Sequence, residues 1–119
     1  MQLLLDIYER RMTDMPKLVL HSLTCNETTS GAGDDQVFIN VNGVRVFGVV
    51  DMAENQTVHP EDEVPFKTRA VIDVWEFDTG SDNDRIGQHT ARGRHKGKGE
   101  RSISMSGDGS DYTLTYVVV

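Results

Sequence analysis

The segment Val37-Phe38-Ile39-Asn40-Val41-Asn42-Gly43-Val44-Arg45-Val46-Phe47 constrains this chain more than any other. Valine, isoleucine and phenylalanine flank Asn42-Gly43 on both sides, and an Asn-Gly pair accepts the positive φ angles of a type I′ turn. Two antiparallel strands are therefore predicted, in a register that the turn fixes. The last strand is equally clear: Tyr112, Leu114, Tyr116 and Val118 fall on one face, with Thr113, Thr115 and Val117 on the other. A strand with one apolar face must bury it, so these segments call for a sheet packed against a second layer.

The same alternation and turn punctuation predict eight strands, over 17-24, 36-41, 44-50, 56-59, 68-77, 85-90, 100-106 and 111-118. The fold class is all-β, an eight-stranded antiparallel β-sandwich. A length of 119 residues suits one core and one domain, placed at 16-119. Residues 1-15 read differently, with Leu4, Tyr8, Met12 and Met15 at helical spacing among Glu9, Arg10 and Arg11. They form an N-terminal extension, either a short amphipathic helix or, over 1-11, upstream sequence ahead of Met12 and Met15, and no function is placed there. The apolar run Leu3-Leu4-Leu5 stops at Asp6, too short for a signal-peptide core or a membrane span. The expectation is a soluble protein with no visible route of export. A single cysteine, Cys25, forms no internal disulfide, so extracellular and cytoplasmic locations both stay open.

Nineteen acidic against twelve basic residues give a net charge of -7. That balance disfavours specific nucleic-acid binding and direct contact with an anionic surface, unless a cation bridges the contact. If consecutive strands reverse direction, alternate loops share an end of the domain. One end then collects 25-35, 51-55, 78-84 and 107-110, with Glu27, Asp34, Asp35, Asp51, Glu54, Asp78, Asp82, Asp84 and Asp108. The other collects Asn42-Gly43, 60-67 and 91-99. Converging carboxylates repel, and a divalent cation that prefers hard oxygens relieves the repulsion. Calcium suits irregular loops, because it takes six to eight oxygens in loose geometry. Zinc is disfavoured, since His21, His59, His89 and His95 show no ligand spacing in sequence.

The stretch Val74-Trp75-Glu76-Phe77-Asp78-Thr79-Gly80-Ser81-Asp82-Asn83-Asp84-Arg85-Ile86-Gly87 resembles the late calcium-binding loop of C2 domains. The resemblance places Glu76, Asp78 and Asp84 on ligand positions of that family, with Asp82 between them. Glu76 departs from a usual aspartate and Arg85 from a usual aromatic. Gly33-Asp34-Asp35 ahead of Val37-Phe38-Ile39 resembles the first calcium loop, where Asp34 or Asp35 is the equivalent residue and Asn26 or Glu27 takes the earlier position. The order of these loops is similar to the type II strand order of C2 domains, and the third calcium loop would be 51-55. What the resemblance implies is a C2-like module with calcium as cofactor, held by acidic loops for stability or for docking to a phosphate- or carboxylate-bearing protein or membrane surface.

Other residues carry less. Trp75 and Phe77 read as core or near-core, and Cys25 as a packing residue. No Gly-x-Ser-x-Gly elbow, Walker loop or acid/base spacing marks catalysis, so the chain is read as a non-enzyme. Arg92, Arg94, Lys96 and Lys98 form a glycine-rich basic stretch, either a docking loop for an anion or acidic partner or a solvated mobile loop. The alternative function is a metal-independent interaction or assembly protein, including a homo-oligomer.

Overall fold

The computed structural model describes residues 15-29, 33-80 and 82-119. The N-terminal extension expected over 1-15 lies, apart from Met15, outside the described residues. Those described build nine strands: β1 Lys17–Glu27, β2 Asp35–Val41, β3 Val44–Met52, β4 Thr57–Val58, β5 Glu63–Pro65, β6 Arg69–Glu76, β7 Asp84–Arg92, β8 Arg101–Met105 and β9 Asp111–Val118. One short 3₁₀ turn, Gly93–His95, follows β7. The pairings are antiparallel throughout. One sheet runs β4-β1-β9-β8, with β5 also on β1, and the other runs β3-β2-β6-β7. Among the described residues no helix is long and apolar enough to cross a membrane.

The expected eight strands become nine because β5 lies where the sequence suggests a loop. Glu63-Val64-Pro65 is short and carries a proline, yet it pairs Lys17↔Pro65, Leu18↔Val64 and Val19↔Glu63 at the margin of a sheet, where a missing N–H is tolerated. The Asn42-Gly43 turn forms as expected, with φ of 50° and 81°. Asn42 does more than turn the chain. Its Oδ1 accepts from the Val71 N–H at 2.8 Å and its Nδ2 donates to the Arg69 carbonyl at 3.3 Å, tying the hairpin to β6.

The core lies between the sheets. Leu18, Leu20, Leu23, Tyr112, Leu114, Tyr116 and Val118 from one sheet meet Val37, Ile39, Val41, Ala70, Ile72, Val74 and Ile86 from the other. The alternation of β9 is thus used as its sequence implies. In β6, Ala70, Ile72 and Val74 are buried in this core, which turns Trp75 to the outer face. There it stacks on Phe38 with ring centroids 6.4 Å apart, and the Arg85 guanidinium covers it at 4.8 Å. Of the core and near-core readings Trp75 takes the second: two adjacent apolar residues leave the strand's facing ambiguous, and Val74 takes the inner side.

The sorting of loops by end holds. At one end the Asn55 N–H donates to the Cys25 carbonyl, Asp35 pairs with Met52, Glu76 with Asp84, and the Gly107 N–H donates to the Ile86 carbonyl. At the other end the Gly93 N–H donates to the Thr68 carbonyl and the Gly97 N–H to that of Val118. The basic stretch is therefore a hydrogen-bonded turn, with the Lys98 N–H on the His95 carbonyl closing it.

Candidate functional site

The acidic end is built around a buried carboxylate. Asp35 opens β2 at 2% exposure, where an unpartnered charge would be costly. Its oxygens accept from the Thr29 N–H at 3.0 Å, the Thr29 hydroxyl at 2.6 Å and the Tyr112 hydroxyl at 2.5 Å. Asp35 thereby joins β2 to β9 and to the segment after β1. Burial and the bond to Asp35 push the Tyr112 hydroxyl far above its ordinary pKa, so it stays a donor. The Thr29 hydroxyl also stands 2.9 Å from Glu76 Oε2. Asp35, Thr29 and Glu76 form a chain from the interior to the loop surface, and Asp35 acts as an internal brace whose oxygens are already engaged.

Glu76 ends β6 and Asp84 begins β7, directly opposite in register. A third carboxylate reaches them from the turn between β8 and β9. One oxygen from each of Glu76, Asp84 and Asp108 lies within 4.8 Å of the other two. The sequence Gly107-Asp108-Gly109 makes this approach possible. A Cβ at Gly107 would stand 2.5 Å from the Arg85 carbonyl oxygen and 2.6 Å from that of Ile86, so only glycine lets the turn lie against β7. Asp108 itself takes φ of 55°, a conformation that aspartate tolerates better than most residues. The Ser110 N–H closes the turn on the Gly107 carbonyl at 3.0 Å.

The electrostatics follow from this crowding. Partial burial pushes the Glu76 carboxyl up from its ordinary range; the Thr29 hydrogen bond opposes the rise, and the charges of Asp35, Asp84 and Asp108 add to it. Asp84 is pushed up first by the Asp108 charge, then by desolvation, by its hydrogen bond with Asp108, and by Asp78 and Asp82. Such a cluster is a set of hard oxygen donors held together against their own repulsion.

The remaining sequence-selected residues are arranged around it. Asp78 and Asp82 are exposed on the β6–β7 connection, where the Asp78 N–H donates to Asn83 Oδ1 at 3.0 Å. They reach Asp84 through charge rather than joining the close group. Asp34 is exposed beside Asp35. Asn26 donates to the Thr113 hydroxyl at 3.0 Å, and Glu27 pairs with Asp111 at the end of β1. Arg92, Arg94, Lys96 and Lys98 stand at the opposite end. Loop parity sorts Asp108 to the acidic end without singling it out as a site residue. The signal for it in the sequence is the Gly-Asp-Gly turn itself.

No family model and no curated protein matches the sequence. Solved structures do. One described as the structure of a C2 domain is 15% identical, with a TM-score of 0.56, and the match covers 87% of this chain and 97% of that one. A C2 domain of plant Extended Synaptotagmin 1 is 9% identical, with a TM-score of 0.56, over 87% of this chain and 91% of its own. Likeness at such low identity speaks to architecture, and the architecture of this chain is a C2-like β-sandwich.

Proposed function

We propose that this C2-like domain is a calcium-binding module, with Glu76, Asp84 and Asp108 as the centre of the site and Asp78 and Asp82 as its outer carboxylates. The observation that carries the reading is the convergence of Glu76 from the end of β6, Asp84 from the start of β7 and Asp108 from the β8–β9 turn. Their oxygens offer the hard, flexible ligand set that calcium prefers, with backbone carbonyls of the loops completing six to eight positions. Thr29, anchored on Asp35, orients Glu76 toward this set. The bound ion would relieve the carboxylate repulsion and stabilise the fold that holds it. It would also leave a coordination position for a phosphate or carboxylate on a partner protein or membrane surface. The domain is thus read as a binding module and not an enzyme.

Calorimetric titration tests this. Calcium is expected to bind with a dissociation constant on the order of 10⁻⁴ to 10⁻³ M, as in extracellular-type modules, with magnesium much weaker because it demands rigid octahedral geometry. The Asp84→Asn variant is expected to lose the calcium signal. Equal binding of both ions, or calcium binding unchanged in Asp84→Asn, would show that the cluster is only a charged surface.

A further inference from the structure

A second group of ligand-type side chains lies on the other sheet, away from the carboxylate cluster. His21 sits in β1, His59 immediately follows β4, and Glu61 lies in the connection to β5. They are scattered in sequence, and the fold gathers them by two devices. The pairing of β1 with β9 slips between Leu20 and Ser22, so His21 is the extra residue of a β-bulge. Leu20 and Leu23 remain in the core while His21 is turned to solvent. Opposite it, the Glu61 N–H donates to the Leu20 carbonyl at 2.8 Å, which docks the β4–β5 connection against the bulge.

The donor atoms lie close enough together to share one ion. One ligand atom from each of His21, His59 and Glu61 lies within 4.8 Å of the other two. His21 Nδ1 stands 3.2 Å from Glu61 Oε1. Ligand bonds of about 2.0–2.2 Å in a tetrahedron put neighbouring donor atoms roughly 3.3 Å apart, so this pair already has the right separation. Both imidazoles have an outer partner on the remaining nitrogen. His59 Nδ1 donates to the His21 carbonyl at 3.2 Å, leaving Nε2 with a lone pair. His21 Nε2 faces Glu100 Oε2 at 3.7 Å, a charge contact longer than a hydrogen bond, while Nδ1 is the nitrogen turned toward Glu61. Histidine ligands of metals characteristically donate their second N–H to a carbonyl or carboxylate, which fixes tautomer and ring orientation. All four side chains are exposed, so an ion has an open path.

We propose that His21, His59 and Glu61 form a site for a divalent transition-metal ion, zinc in the first instance, with Glu100 as the outer carboxylate of His21. Two imidazoles and one carboxylate suit zinc and cobalt and suit calcium poorly, so this site is chemically separate from the carboxylate cluster. The ion would clip β1 to the β4–β5 connection and keep an open position for water.

The test is a Co²⁺ titration of the whole chain followed by visible absorption, with Zn²⁺ competition. Saturable Co²⁺ absorption that Zn²⁺ displaces is expected. His59→Ala and Glu61→Gln, both exposed positions, should each weaken binding by at least about tenfold. Asp84→Asn and His95→Ala should leave it within about twofold of wild type, since these residues lie outside the group. Absence of saturable absorption, persistence of binding in both His59→Ala and Glu61→Gln, or its loss in Asp84→Asn would overturn the proposal.

Discussion

Asp35 and Glu76 show how two carboxylates joined by one hydroxyl take different parts. Asp35 is buried with donors on both oxygens, whereas Glu76 stands half-buried with one oxygen bonded to Thr29 and a negative neighbourhood beyond. The first holds the end of the sandwich together, and the second faces the loops. Tyr112→Phe removes one donor from a buried charge and is expected to cost about 2 kcal/mol. Asp35→Asn puts an amide where Thr29 and Tyr112 both donate, and is expected to cost about 3 kcal/mol. Urea unfolding of both variants checks this. A change below about 0.5 kcal/mol in both would show that Asp35 is not a brace.

At the scale of elements, the acidic site depends on how closely the β8–β9 turn lies against β7. Gly107→Ala places a methyl group against two backbone carbonyls that cannot move aside without disturbing β7. It is expected to destabilise by about 1–3 kcal/mol, and by lifting Asp108 away from Asp84 to weaken calcium binding. Unfolding and calorimetry on the one variant check both effects, and full calcium affinity would show that Asp108 is not needed. The β2–β3 hairpin was legible in the sequence from its Asn-Gly turn, and β9 from a clean alternation of buried and half-buried positions. β5 was not, since a proline and flanking acids hide a pairing that exists only because β1 offers a partner. The nearness of Glu76 and Asp84 was legible from the motif they share. Asp78, placed on a ligand position by the same resemblance, lies beyond the end of β6 and outside the close group. Asp108 is marked in the sequence only by its Gly-Asp-Gly turn, and the His21 group depends on an approach between segments distant in sequence, which no local spacing encodes.

Across the whole molecule, acidic loops gather at one end of the sandwich and a basic turn closes the other, and the acidic end sets the pH response. Glu76 and Asp84 are pushed above their ordinary values of 4.5 and 3.8. The folded state therefore binds more protons than the unfolded chain at pH between these ordinary values and the raised ones. Stability from this cluster falls as pH rises through that window, the reverse of a salt-bridged carboxylate, and returns as pH falls. His89 works in the opposite sense. Burial and Arg101 hold it below 6.5, so stability is lost as pH falls through 6.5 and the unfolded histidine takes up a proton. His95 is lowered likewise, and both histidines act equally with and without calcium, so the difference between two curves isolates the carboxylates. The most direct test of a calcium site at Glu76, Asp84 and Asp108 is melting temperature against pH, from neutral to about 5, in excess calcium and in chelator. The calcium curve is expected to lie above the chelator curve at neutral pH and to converge on it as protons displace the ion. Curves that superimpose, or that stay a constant distance apart across this range, would contradict a calcium site at these carboxylates.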